Sequence, residues 1–486
     1  MNYVGAYAQD TWRVSSTMTI SGGLRWEPYY SAVEEAGYAS HFSMDNFMAG
    51  VKSTVIPNAP AGLMFPGDPE FPGTKYNKNK LAQFAPRLGI IWDPNGDGRQ
   101  TIRAAGGIFY ESPKMWQYGR FPLNPPFGNT ITVNNPGSFT NPWATYPGGN
   151  PFPFDPNNRT FPQFGSFVNM PLDSPPMEIQ QWNIAYQRQL SANWMAGATY
   201  IGNHTVHMWL GKEVNPATYI PGASTVANTN QRRLLYLTNP AEGQYYADVP
   251  ETDTNGTGTY NGLLLILNRR LSNDWSMTHN FTWSKCENDG DPGIDITNFF
   301  PDPNDISTNR GPCSADRRNI YNGSIIVQSQ GVGSGVAKAL TEDWQLGTII
   351  QARSGAPFTP AMTGDLALTG LNNQRPIVVG DSAPVGEQDI NNWFNTAAYT
   401  ANTPGVWGTA ERGSIRGPAY FNIDMALSRL FSVGSSQRLE FRLEAFNVFN
   451  RFQAGEPVVT FNSANFGRII TAEDPRILQI AVKYLF

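Results

Sequence analysis

Residues 476–486 read "RILQIAVKYLF". Taken in twos, Leu478, Ile480, Val482, Tyr484 and Phe486 fall on one face, and Gln479, Ala481, Lys483 and Leu485 on the other. That is the alternation of a β-strand with two different neighbours. The same period recurs over 3–13, 18–28, 82–93, 100–111, 178–190, 193–204, 259–271, 274–285, 318–330, 342–354, 419–432, 437–450 and 476–486, while amphipathic helical stretches are almost absent. Most of these thirteen segments run ten to fourteen residues. A globular strand averages about five or six, whereas a tilted membrane strand needs about nine to eleven. Length therefore predicts an all-β protein, a transmembrane antiparallel up-and-down β-barrel in preference to a soluble sandwich.

The connections alternate in the way such a barrel requires. "VSST", "LSAN", "LSND" and "SVGSS" join one end of each strand pair. Stretches rich in Pro, Asn and Gly, 29–81, 112–177, 205–258, 286–317 and 355–418, join the other. Outer-membrane barrels place short turns on the periplasmic side and long loops outside. Trp12, Trp92, Trp194, Trp275 and Trp344 all lie within a few residues of a short turn, where an interfacial aromatic girdle belongs. In "QRLEFRLEAFNVFN" (437–450), Leu439, Phe441, Leu443 and Ala445 alternate with Arg438, Glu440, Arg442 and Glu444. The charged face is expected to look into a wet lumen, contacting a solute or pairing neighbouring strands as a ladder. In "DWQLGTIIQAR", Trp344, Leu346 and Ile350 oppose Gln345, Gln351 and Arg353 in the same manner. The terminal face Leu478, Ile480, Val482, Tyr484 and Phe486 then reads as the lipid side of a closing strand. A closed barrel has no free edge, so that strand is expected to pair with the first.

Composition sets outer limits. With 15% charged and 13% aromatic residues in 486, the chain has too little charge and too many rings for disorder. A net charge of −5 leaves no basic footprint for nucleic acid. The longest apolar run, "GLLLIL" at 262–267, falls far short of the roughly 18–20 residues of a membrane helix; this says nothing of a barrel, whose strands are apolar on one face only. The opening "MNYVGAYAQDTWRV" shows neither basic n-region nor apolar h-region. Thirteen is an odd count, and bacterial single-chain barrels are generally even. Both features lead to the expectation that residues 1–486 are the C-terminal part of a longer barrel protein.

Several segments resemble the TonB-dependent outer-membrane receptors, and among them the Oar-like group, which carries a carboxypeptidase-regulatory-like domain ahead of plug and barrel. They are "YVGAYAQDTWRVSSTMTISGGLRWE", "FAPRLGIIWDPNGDGRQTIRAAGGIFYE", "QQWNIAYQRQLSANWMAGATYIGNH", "YNGLLLILNRRLSNDWSMTHNFTWSK", "ADRRNIYNGSIIVQS" and "LTEDWQLGTIIQARSGAPF". The most specific is the C-terminal block from "GPAYFNIDMALSRLF" to "RILQIAVKYLF". The resemblance implies a 22-stranded barrel, of which this chain holds about thirteen strands, without signal peptide, TonB-box or plug. It implies the bacterial outer membrane as location and transport of an unidentified solute. Its expected partners are outer-membrane lipid, the barrel-assembly machinery and a TonB energy-coupling complex acting through the plug region. The alternatives are an outer-membrane anchor whose loops serve adhesion or surface assembly, and a secreted β-rich carbohydrate-binding domain.

No catalytic constellation emerges, and neither an enzyme nor a cofactor is expected. "DPNGDGRQTIRA" opens like an EF-hand with Asp93, Asn95 and Asp97, yet Ala104 stands where the bidentate glutamate belongs; a hairpin turn is the better reading. His204 and His207 in "HTVH" would point to opposite faces of a strand, and His41 and His279 stand apart from them. "GVGSG" at 331–335 lacks the nucleophile-elbow spacing. Cys286 and Cys313 bracket one loop between two strands, which favours a disulfide over two free thiols. The loop's acids, Asp289, Asp291, Asp295, Asp302 and Asp305, suit a solvated segment or a calcium site.

Overall fold

The long period-two segments can satisfy their backbone only by pairing side by side, and in a computed structural model of the chain they do so. The structure describes residues 2–71, 73–111, 115–128, 138–144, 149–150, 159–272, 274–291, 302–372, 374–433 and 437–486. Thirteen long strands are present: β1 (Ala6–Arg13), β2 (Met18–Trp26), β3 (Phe84–Trp92), β4 (Gln100–Glu111), β5 (Met177–Gln189), β6 (Trp194–Glu213), β7 (Pro250–Ser272), β8 (Trp275–Asn288), β9 (Asn319–Gln330), β10 (Glu342–Arg353), β11 (Tyr420–Ser432), β12 (Arg438–Phe446) and β13 (Ile477–Leu485). Each pairs antiparallel with the next in chain order, giving an up-and-down sheet. A short piece, Gly311–Pro312, adds to the end of β8.

Two expectations need correction. Among the described residues β1 and β13 each have a single partner, so the last strand does not pair with the first and the sheet is not closed. β6 and β7 also run well past 204 and 259, to twenty and 23 residues. The polar "NHTVH" that looked like a strand end is a pair of bulges, with His207 in the left-handed region (φ 57°), after which pairing resumes. A bulge bends a strand without ending it. Above it Met208, Trp209 and Leu210 are buried by neighbouring loops.

Register separates two chemically distinct faces, because directly paired residues share a side. One row runs Phe281–Tyr321–Ala352–Phe421; the adjacent row on the opposite side runs Asn280–Asn322–Gln351–Asn422. Across the first half of the sheet Ile20, Ile90, Ala104, Ile184, Tyr200, Leu263 and Trp283 make one apolar row. Among the described residues no second protein layer covers that face: Ile184 is 53%, Trp283 61% and Ile480 69% exposed. Rings lie across its glycines. A Cβ on Gly202 would meet the Trp182 ring at 2.5 Å, so only glycine lets that indole lie flat against the strand.

The buried apolar core sits instead in the long connections. Phe42, Phe47, Ile56, Leu63, Phe65, Phe167, Leu235, Tyr246 and Val249 form one cluster. Tyr76, Tyr118, Phe121, Met170 and Trp209 belong to a second, and Phe394, Tyr399, Ala410 and Ile415 to a third. These segments join the strand ends away from the short turns, so they form a packed layer of their own at that end.

Candidate functional site

The polar face and its mouth under the loop layer are where chemistry concentrates. Arg438, Glu440, Arg442 and Glu444 lie opposite Ser432, Leu430, Ser428 and Ala426 on β11, and opposite Leu485, Lys483, Ala481 and Gln479 on β13. They therefore share the side of Asn422 and Asp424. Arg442 and Glu444 pair at 2.6 Å along the strand, a half-exposed contact that contributes little to stability. On β1–β5 the same side holds a groove of about 650 Å³ bounded by Gln9, Arg25, Arg87, Phe109, Gln181 and Asn183.

Near the outer end of β8–β11 the arrangement is denser. Cys286 and Cys313 are disulfide-bonded across a separation of 27 residues. The Cys286 N–H donates to Asp316 Oδ1 at 2.9 Å. The buried Asp316 carboxylate also faces Arg416 at 2.8 Å and Arg318 at 3.5 Å. The acids after Cys286 are engaged by the protein itself: Asp289 meets Arg310 at 3.1 Å and Asp291 meets Arg412 at 3.0 Å. Burial works to raise the Asp291 carboxyl, but Arg412 and the surrounding N–H donors hold it below the ordinary value. Asp302 and Asp305 accept from the backbone of local turns, and Asp295 lies outside the described residues. Replacing both cysteines by serine is expected to destabilise this corner by about 3.5 kcal/mol through the released loop entropy. Urea unfolding of the oxidised protein beside the double variant measures the difference.

Arg317 and Arg353, with Asn322, Gln351 and Tyr420, line a second pocket of about 310 Å³. The Arg353 guanidinium stacks 4.6 Å from the Tyr420 ring. Burial lowers the Arg317 pKa, and the nearby charges of Arg353 and Arg416 lower it further. Alternation in the sequence places Arg353 on the polar side of its strand but does not join it to Arg317 or Arg416. The "DRR" at 316–318 is the only local hint, since the other two members arrive from distant strand ends.

A family profile described as "Outer membrane beta barrel domain" matches residues 1–479. The chain belongs to that family. It is similar to the TonB-dependent transporter Oar of Myxococcus xanthus, 22% identical over 472 residues, with 92% of this chain and 35% of the relative covered. Among solved structures it is similar to the outer membrane transporter YddB from Escherichia coli, with a TM-score of 0.52 and 10% identity over 99% of this chain and 44% of that one. The FrpB iron transporter from Neisseria meningitidis aligns with a TM-score of 0.45 and 11% identity, over 99% of this chain and 44% of that one. The chain spans about a third of the curated relative's length. The resemblance to Oar-like TonB-dependent receptors read from the sequence agrees with the Myxococcus relative.

In an outer-membrane barrel the apolar side meets lipid and the polar side lines a lumen. Trp12 and Trp92 stand on the lipid side beside the short turns. Trp194 and Trp275 touch edge to face at 5.8 Å, and Arg269 lies 3.7 Å over Trp275. Arg429 repeats the arrangement near Trp344 and donates to the carbonyls of Ala339 and Leu340. Those carbonyls belong to a helical turn, Val336–Thr341, that follows "GVGSG". The EF-hand-like stretch is a turn in which the Asp93 carboxylate accepts from the N–H groups of Gly96 and Gly98 at 3.1 and 2.7 Å. His204 sits in the paired part of β6, His207 in its bulge, and His279 stacks on Tyr321.

Glu213, which ends β6, and the part-buried His41 lie in the loop layer of the barrel. Burial pushes the Glu213 carboxyl up to about 7 against the opposing pull of Arg233. Its Oε1 accepts from the N–H groups of Asn215 (2.7 Å) and Val249 (2.9 Å), and its Oε2 has no hydrogen-bond partner among the described residues. Burial drives the His41 imidazole down to about 4, with Nδ1 3.1 Å from the Met170 carbonyl. The folded layer keeps the Glu213 proton where the unfolded chain has released it. That contribution is full below about 4.5 and is lost as pH rises to about 7. For His41 the unfolded chain takes a proton below about 6.5 that the folded layer refuses until about 4, so stability falls as pH falls through that window. Glu213→Gln is expected to remove the Glu213 limb while the His41 limb persists, and to make the layer at pH 8 more stable by on the order of 3 kcal/mol. Protease resistance of the loops across pH 4–8 reads this out.

Proposed function

We propose that the chain is the barrel portion of a TonB-dependent receptor, moving a solute across the outer membrane with energy from the inner membrane. The observation that carries this reading is the pairing of a lipid-type face with a polar row, Asn280–Asn322–Gln351–Asn422, that runs under a packed loop layer; the relative named as a TonB-dependent transporter supports it. The thirteen strands are part of a 22-stranded wall, whose further strands pair with the open edges of β1 and β13. Leu478, Ile480, Val482, Tyr484 and Phe486 face lipid in that wall, and Arg438, Glu440, Arg442 and Glu444 face its lumen. The barrel-assembly machinery inserts the protein, and the TonB complex acts through a plug segment. The loop layer captures the solute, and the polar face gives it a path.

The test compares cells lacking this protein with cells lacking TonB, by mass spectrometry of solutes left in the medium. The same solutes are expected to remain unused in both. Solutes that vanish normally from the medium of the protein-deletion strain, with loss of surface attachment instead, would move the assignment to an adhesion anchor.

A further inference from the structure

Arginines gather at the outer mouth of the polar face without enough carboxylates to neutralise them. Arg317 precedes β9, Arg353 ends β10 and Arg416 lies four residues before β11. The order of these neighbouring strands brings the three together. Among the described residues Arg317 donates only to backbone, to the carbonyls of Ser314 (3.3 Å) and Asp316 (3.1 Å). Arg353 has the Tyr420 ring beneath it and no carboxylate partner among the described residues. Asp316 is shared between Arg318 and Arg416, and Arg416 Nη1 is buried without a hydrogen-bond partner among the described residues. Glu456 is the other acid close enough to act on Arg317. Two guanidinium groups, Arg317 and Arg353, thus line the pocket of about 310 Å³ with no carboxylate in its lining; the remaining polar lining is Asn322, Gln351 and Tyr420, and the Arg416 charge acts on Arg317 from beside it.

Like charges at close range are tolerated where an anion completes the set. Guanidinium forks supply paired N–H donors that match the oxygens of carboxylate and phosphate. We propose that this pocket is an anion subsite in which Arg317 and Arg353, with Arg416 behind them, bind a small oligoanionic solute rich in carboxylate or phosphate groups. Stacking on Tyr420 holds the Arg353 plane while leaving its edge donors for the ligand. Asp316, bonded to the Cys286 N–H, anchors Arg416 and ties the subsite to the disulfide corner. The role of the anion as cargo rests on the transport reading; its binding does not.

The whole chain, purified from outer membranes in mild detergent, is titrated calorimetrically at low salt with citrate, with pyrophosphate and with neutral maltotriose. One-site binding tighter than about 1 mM is expected for at least one oligoanion and none for maltotriose. Arg317→Gln and Arg353→Gln are each expected to weaken it about ten-fold. Lys338→Gln, in the turn at the opposite end, is expected to leave it unchanged, and heat-modifiable migration is expected to be the same in every variant as in the parent chain. Absence of oligoanion binding, equal binding of maltotriose, or unaltered affinity in both arginine variants would overturn the proposal. Calorimetry needs no energy coupling, so the outcomes separate. Lost binding with intact TonB-dependent uptake removes the subsite alone, and binding without uptake removes the transport reading alone.

Discussion

Replacing Phe47 by alanine is expected to loosen the loop layer by about 3–5 kcal/mol while the thirteen-strand sheet stays folded. Phe47 is 2% exposed and lies edge-on to Tyr246 at 5.7 Å between ring centres, with Phe42 beside them. Tyr246 is itself bound by its hydroxyl to the Ala61 carbonyl at 2.5 Å. Truncation removes a ring that both clusters the aromatics and holds residues 44–63 against 234–249. Because this core shares few residues with the strands, its loss acts locally. Limited proteolysis is expected to cut the variant within 27–83 and 214–249, while the sheet keeps its heat-modifiable migration. Simultaneous loss of both would show that layer and wall unfold as one.

The second large effect concerns the wall. Leu265 lies mid-strand on the apolar side between Ala198 and Phe281. Leu265→Arg is expected to cost about 2–4 kcal/mol in a bilayer, since a guanidinium near the midplane must draw in water or stretch to a headgroup. Asn280→Arg, one row away on the polar side, is expected to be nearly neutral. Urea titration of both variants in phospholipid vesicles gives the comparison.

Much of the wall was legible in the sequence, because period-two alternation over ten or more residues has few competing readings. Every expected long strand is present, and the short turns with their tryptophans fall at one end. The ends of β6 and β7 were not legible. "NHTVH" is polar and breaks the alternation, and only partners across the sheet show that the strand resumes after a bulge. The loop core was hidden for a different reason. Phe42, Phe47, Leu63 and Phe65 are separated by turns and follow no single period, and their partners Phe167, Leu235 and Tyr246 lie far along the chain. The bond from Tyr246 to Ala61 spans 185 positions. Arg317, Arg353 and Arg416 are equally scattered, and become neighbours only through the order β9–β10–β11. The acids after Cys286 looked solvated because Arg310 and Arg412, which bind Asp289 and Asp291, could not be assigned to them from spacing.

The central claim is that lipid covers every other side chain of the long strands, and "GLLLIL" tests it best because composition there gives no alternation. Register places Leu263, Leu265 and Leu267 on the lipid side and Leu264 and Ile266 on the lumenal side. Spin labels placed singly at 263–267 in a vesicle-embedded protein are predicted to show oxygen accessibility that alternates, high at the three odd positions and low at the two even ones. Uniformly low accessibility to oxygen at all five positions, as in a strand buried between two protein layers, would contradict the account.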